Sequence, residues 1–238
     1  MDHDHSPQAI HKRLSQGPGH NYLRDFVYGG IDGAVTTFAV VSGVVGAELS
    51  SGIILVLGAA NLFADGFSMA ASNYLATKTE REDAEHLEAI EKHHIEAFPD
   101  GEREEVRQIF KAKGLEGNDL ERVVDLLTKD RNVWVRTMLT EEYGLPWEIR
   151  SPWRAGLATF GAFLVCGLVP LVPFILSLTG AFWLAAALTA GVFYAIGSVK
   201  SRWSTVSWWR SGLETLLVGS IAAAMAYAVG FALKGVLR

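Results

Sequence analysis

Apolar positions run along this chain in long unbroken blocks, separated by stretches that are polar and charged. Five blocks, at 26–47, 52–76, 155–178, 181–199 and 212–233, are each about as long as the roughly 20 residues a helix needs to cross the hydrocarbon core of a bilayer. Short polar turns near Glu48–Ser51 and Thr179–Gly180 make hairpins of the first and second blocks and of the third and fourth. Between the second and third blocks the pattern changes to a helical alternation rich in Glu, Lys, Ala and Leu. Residues 77–97 extend the second block as one helix until Pro99-Asp100-Gly101 breaks it. Helices are predicted at 102–113, closed by Gly114; from a cap at Asn118 or Asp119 to 127; and from a cap at Asp130 to 143, closed by Gly144 and Pro146. The pattern predicts an all-α integral membrane protein with five transmembrane helices and a helical insert between helices two and three. Residues 1–25 form a polar tail, 26–76 the first two spans, 77–150 the insert and 151–238 the last three spans. The insert's short helices offer little apolar surface, so a bound metal or a partner subunit is expected to help hold them together.

Charge fixes an orientation. Lys12, Arg13 and Arg24 precede span one, Arg150 and Arg154 precede span three, and Lys200, Arg202 and Arg210 separate spans four and five. The turns after spans one and three contain no Lys or Arg, so the positive-inside rule puts the N-terminus and the insert in the cytoplasm. The tail has no apolar h-region of a signal peptide, and its His3, His5, His11 and His20 are expected on a solvated, disordered arm that could loosely chelate metal. A formal charge of −5 argues against a nucleic-acid partner. The single cysteine, Cys166, rules out an intramolecular disulfide and reads as a small core residue.

Most of the 26 acidic residues lie in the insert, which makes the exceptions informative. An ionisable group inside a membrane costs about 2.5–3.5 kcal/mol on insertion scales, so its default reading is functional. Asp32 lies in span one among Gly29, Gly30 and Gly33, and Asp65 lies in span two. Asn61 and Met69, four residues to either side of Asp65, share its helical face. An amide oxygen, a carboxylate and a thioether in one stripe suit a borderline transition cation. The glycines around Asp32 predict a close helix contact or room for an ion. Pro170 and Pro173 predict a kink in span three.

In the insert, Glu88, Glu91 and His94 advance by three, Glu102 and Glu105 are three apart, and Met138 and Glu142 are four apart. Side chains at those spacings project together and could hold an ion between helices. Carboxylates with an occasional imidazole favour Fe(II), Mn(II) or Mg(II), with Zn(II) also compatible. A Glu-rich helix is just as readily a solvated face.

Four blocks carry a family resemblance. The runs Asp32-Gly33-Ala34-Val35-Thr36-Thr37-Phe38 and Ala64-Asp65-Gly66-Phe67-Ser68-Met69, the latter followed by Asn73-Tyr74-Leu75, resemble the vacuolar iron transporter family. So do the run from Trp134 to Leu145 and Gly167-Leu168-Val169-Pro170-Leu171-Val172-Pro173-Phe174. The resemblance implies a homodimer of five-span subunits that moves Fe(II), and often Mn(II), out of the cytosol in exchange for protons. It implies an ion path at the dimer interface lined by Asp32 and Met69, and a cytoplasmic domain that gathers metal through Glu91, Glu102, Glu105, Met138 and Glu142. His94 replaces a further glutamate of plant-type members, and Asn61 replaces an acid of their second span. Asp65, one turn on, is positioned to restore that charge.

The expected function is therefore divalent transition-metal export by proton antiport. Fe(II) or Mn(II) is the cargo, Zn(II) or Co(II) is conceivable, and no prosthetic group or enzymatic chemistry is expected. Two rivals remain at this stage: a membrane-anchored metal buffer or sensor, and a di-iron carboxylate oxidase built on Glu91-x-x-His94. The oxidase needs a second such motif, and the chain has one. The short polar N-terminus leads us to expect a bacterial cytoplasmic membrane, with a vacuolar membrane as the alternative. If Asp65 supplies the displaced charge, Asp65→Asn abolishes metal flux in reconstituted vesicles while Asn61→Asp is tolerated; the opposite ranking would refute the substitution of roles.

Overall fold

A computed structural model describes residues 4–16, 22–146 and 150–234. Among them are ten α-helices. Helix α1 is Pro7–Gln16, α2 Leu23–Gly46, α3 Ser51–Ala97, α4 Pro99–Ala112, α5 Gly117–Thr128 and α6 Arg131–Glu141. Helix α7 is Pro152–Leu168, α8 Val172–Ile175, α9 Ala181–Lys200 and α10 Trp208–Leu233. Five segments are long and apolar enough to cross a membrane: Leu23–Gly46, the apolar part of α3, Pro152–Ile175, Ala181–Lys200 and Trp208–Leu233. The contacts divide the chain into a unit holding Thr77–Arg150 and a unit of Asn21–Ala76 with Ser151–Arg238.

The tail departs from the solvated, disordered arm expected of it. Asp4 accepts a hydrogen bond from the Ser6 backbone N–H at 2.8 Å, the Ser6 hydroxyl accepts from the Ala9 N–H at 3.3 Å, and Pro7 opens α1. A capped N-terminus with proline in its first turn is enough to start a helix there. His3 and His20, part of the expected metal-chelating tail, lie outside the described residues.

In the insert, α4 begins earlier than predicted because Pro99 occupies its first turn, where a missing N–H costs nothing. Asn118 and Asp119 do not cap α5: they lie inside it, and the cap position is Glu116, in extended conformation with no side-chain cap bond. Asp130 does cap α6, accepting from the N–H groups of Asn132 and Val133. Gly114 and Gly144 close their helices at φ values of +94° and +67°. The insert also has an apolar core of its own. Ile95, Val106, Leu120, Val124, Trp134, Val135 and Met138 pack together, joining the end of α3 to α4, α5 and α6.

In the membrane unit, α2 packs against α7, α9 and α10. The α2–α7 contact is a backbone-to-backbone approach: a Cβ on Gly33 would lie 2.8 Å from the Cα of Phe163 and nearer still to its carbonyl oxygen. Gly29 meets Thr159 in the same way one turn earlier. The close contact foreseen for these glycines is therefore with a neighbouring helix of the same chain. In span three, Pro170 lies within a 3-10 turn, Val169–Leu171, between α7 and α8, and Pro173 in the first turn of α8. Proline removes the N–H that a continuous α-helix would need there. At the far end of α2, Glu48 turns the chain at φ +57°, and its carboxylate pairs with Lys234 beyond α10.

Gly33→Ala is expected to destabilise the purified chain by about 1–3 kcal/mol, because the clash is with backbone. Gly191, whose Cβ would meet nothing, is the control. Thermal unfolding in detergent should show a lowered midpoint for Gly33→Ala and an unchanged or raised one for Gly191→Ala.

Candidate metal-handling sites

Two groups of charges stand out in the insert. Many of its acids are paired: Arg107 bridges Glu121 at 2.7 Å and also reaches Glu104, Arg103 pairs with Asp125, Arg131 with Glu96, and Lys113 with Glu141. Glu88 belongs here, held by Lys92 at 2.5 Å. Glu91, Glu102, Glu105 and Glu142 form the other population. They lie on α3, on α4 and at the end of α6, and each acts electrostatically on others of the group. Among the described residues none of the four has a Lys or Arg partner; the imidazole of His94 stands beside them, with Nδ1 3.5 Å from Glu102.

Burial makes this arrangement costly. Glu91 is 1% exposed and Glu102 5% exposed, and one oxygen of each has no hydrogen-bond partner among the described residues. A buried carboxylate without a counter-charge favours its neutral form. Glu91 is accordingly pushed up to about 8, first by burial, then by its hydrogen bond to Glu102 and by the charges of Glu102, Glu142 and Glu105. Burial, followed by the charge of Glu102, also raises Glu105 and Glu142. Tyr143 joins the cluster by hydrogen-bonding Glu142, and burial with the surrounding carboxylates pushes its phenol up to about 12. Nothing in its spacing singled Tyr143 out, because a tyrosine next to a glutamate has no helical periodicity of its own.

The other predicted insert residues are placed differently. Met138 is fully buried in the apolar core. Among the described residues no three His, Cys, Asp or Glu side chains are close enough together to enclose an ion as they stand. The quartet is a group of crowded carboxyls without a Lys or Arg counter-charge, and as they stand they do not enclose an ion.

The membrane unit holds the second site. Asn61, Asp65, Met69 and Asn73, each four residues from the last, line one face of α3 opposite polar groups of α2. The Asn61 amide donates to the hydroxyls of Thr36 at 3.1 Å and Thr37 at 3.2 Å, and the Thr36 hydroxyl donates to the Asp32 carbonyl at 2.9 Å. Asp65 and Asp32 are close enough for their charges to interact. Asn73 donates to Asp25 at 3.0 Å. Tyr28, Asp65, Ser68, Met69, Ser72 and Asn73 line an open groove of about 400 Å³. Asp25 and Asn73 are additions to the predicted set. Asp25 fell in the polar tail by a span boundary at 26, whereas α2 starts at Leu23 and buries it. Asn73 continues the four-residue series past Met69, which was the signal available for it.

The sequence signature of the VIT family matches residues 23–231. The chain belongs to the VIT family. A vacuolar iron transporter of Toxoplasma gondii is 31% identical over 236 residues, covering 94% of this chain and 78% of that protein. Vacuolar iron transporter 1 of Oryza sativa is 30% identical, covering 98% and 91% of the two chains. Vacuolar iron transporter 1 of Arabidopsis thaliana is 32% identical, covering 86% and 83%. The match takes in the insert as well as the spans, so this VIT-family chain is an integral membrane protein in which both sites fall within the shared region.

The sign of the pH dependence follows from Glu91. Between the ordinary carboxyl value of 4.5 and about 8 the folded insert holds a proton that the unfolded chain releases. Stability contributed by this group is therefore complete at low pH and is lost as pH rises through that window. Heat unfolding of the full chain from pH 5 to 9 should show the decline, and Glu91→Gln should flatten it; an unchanged slope would show that Glu91 does not hold the proton.

Proposed function

We propose that this VIT-family protein moves a divalent transition metal, Fe(II) or Mn(II), from the cytosol across its membrane in exchange for protons. The observation that carries the reading is the open polar groove lined by Asp65, Ser68, Met69 and Asn73, with Asp32 of the first span close enough to Asp65 for their charges to interact. Two carboxylates in a low-dielectric setting repel each other and need either a proton or a cation between them. A divalent ion displaces the protons as it binds and is replaced by them as it leaves, which makes exchange the natural coupling. The thioether of Met69 adds a soft ligand that favours Fe(II) over Mg(II) or Ca(II), while the carboxylates suit Mn(II) as well. The names of the relatives, which specify iron for those proteins, support the same cargo.

In this reading Glu91, Glu102, Glu105 and Glu142, with His94, collect the ion on the cytoplasmic side. Their missing counter-ions favour any divalent cation that reaches them. Met138 becomes a ligand by a shift of the α6 end out of the apolar core. The groove suggests a homodimer: Asp65, Ser68 and Ser72 would otherwise face lipid, beside exposed Phe63 and Phe67. A second copy across this face would close the polar path within protein. Export to a vacuolar lumen or to the cell exterior uses the same machinery.

Purified protein in sealed vesicles with an imposed pH gradient provides the test. Fe(II) and Mn(II) are expected to accumulate with opposite movement of protons, and Asp32→Ala with Asp65→Ala should cut the rate by tenfold or more, given about 1.4 kcal/mol per factor of ten. Binding without accumulation would support the buffer reading instead, and oxygen consumption by the Fe(II)-loaded protein would support the oxidase.

A further inference from the structure

The Asn73 side chain has a donor end whose bonding is unusually well determined. Its Nδ2 lies 2.8 Å from the Thr159 hydroxyl oxygen, 3.0 Å from Asp25 Oδ1 and 3.3 Å from the Ala155 carbonyl oxygen. The Ala155 carbonyl and the Asp25 carboxylate can only accept. Thr159 spends its own proton on the Ala155 carbonyl at 3.1 Å, so its oxygen accepts too. Three acceptors therefore surround one NH2 group, and the amide has a single allowed orientation. Its carbonyl Oδ1 points away from them, and no donor among the described residues reaches it. Asn73 also lines the groove that contains Asp65 and Met69, one helical turn beyond Met69. Asp25, 6% exposed, stands behind the amide.

We propose that the Asn73 carbonyl oxygen is a further cation ligand in this groove, and that Asp25 is the positioning residue that keeps that oxygen turned toward the ion. The inference rests on the transport reading above and extends it by one ligand. An amide oxygen is a neutral, hard donor; set one turn from a thioether and two turns from a carboxylate, it adds a ligand without adding charge. The charge of Asp25 acts at one remove: it strengthens the bond to the amide N–H and polarises the carbonyl oxygen toward the groove. A residue behind a ligand typically changes metal affinity by about 10–100-fold when lost.

The test uses the full chain in vesicles with Mn(II) as probe and measures half-saturation, maximal rate and thermal midpoint together. Asn73→Ala is expected to raise the half-saturating Mn(II) concentration about tenfold. Asp25→Asn is expected to raise it too, because the negative charge that strengthens the amide N–H bond is lost and a second amide there can donate in competition, leaving only Ala155 and Thr159 to hold the group. Should Asn73→Ala fail to fold, Asn73→Ser retains a hydroxyl donor for Asp25, lacks the carbonyl and should show the same rise. Unchanged half-saturation in these variants would overturn the proposal, whether or not maximal rate and midpoint fall, since such falls alone would mean a purely structural tie. If the unsubstituted protein moves no Mn(II) or Fe(II), the transport reading fails first, and this inference with it.

Discussion

A carboxylate removed from water must be protonated, paired with a cation or held by several donors, and this protein leaves that requirement open in two places. In the insert, many acids have Arg or Lys partners, as Glu121 and Glu104 do with Arg107. Glu91 and Glu102 are buried without one. In the membrane unit, Asp32 and Asp65 lie close enough for their charges to interact. Stability alone would favour apolar residues at the two buried positions, since buried charge rarely repays its desolvation. Under the transport reading proposed above, the counter-charge these groups lack is the cargo.

Such groups can be left uncompensated because the scaffold around them is tight. Helix α2 is pressed onto α7 at Gly29 and Gly33, and α10 onto α2 at Gly230, which lies against the Gly43 backbone; the distances tolerate no side chain at Gly29, Gly33 or Gly230. The insert is fastened by its apolar core, in which Trp134 and Met138 are buried. These contacts supply the free energy that the strained electrostatics consume. They also fix the facing stripes of α2 and α3, so that residues far apart in sequence, such as Asn61 and Thr36, meet without adjustment.

The architecture was largely legible in the sequence because it depends on long-range averages. A span announces itself over some twenty residues, and helix ends such as Gly114, Asp130 and Gly144 carry local signals that packing did not override. The misreadings came where a single boundary or contact decided the outcome. Asp25 was hidden by a span start set three residues late, and Asn118 and Asp119 looked like caps because composition does not say which polar residue leaves the helix. Glu88 shares the spacing of Glu91, yet one residue faces Lys92 and the other the acidic cluster; periodicity gives a common face but not the neighbour across from it. The insert's core was underestimated because its apolar residues are spread over the end of α3 and three short helices, each of which supplies only a few.

The environment of Asn73 has a consequence for assembly. One amide group of α3 reaches Asp25 on α2 and both Ala155 and Thr159 on α7, so a single side chain ties three segments that are far apart in the chain. Each of those bonds closes a long loop, and the ordering entropy of such loops is repaid only once all three helices already lie side by side. The knot is therefore a late arrival in folding, a clasp fastened after the helices have met.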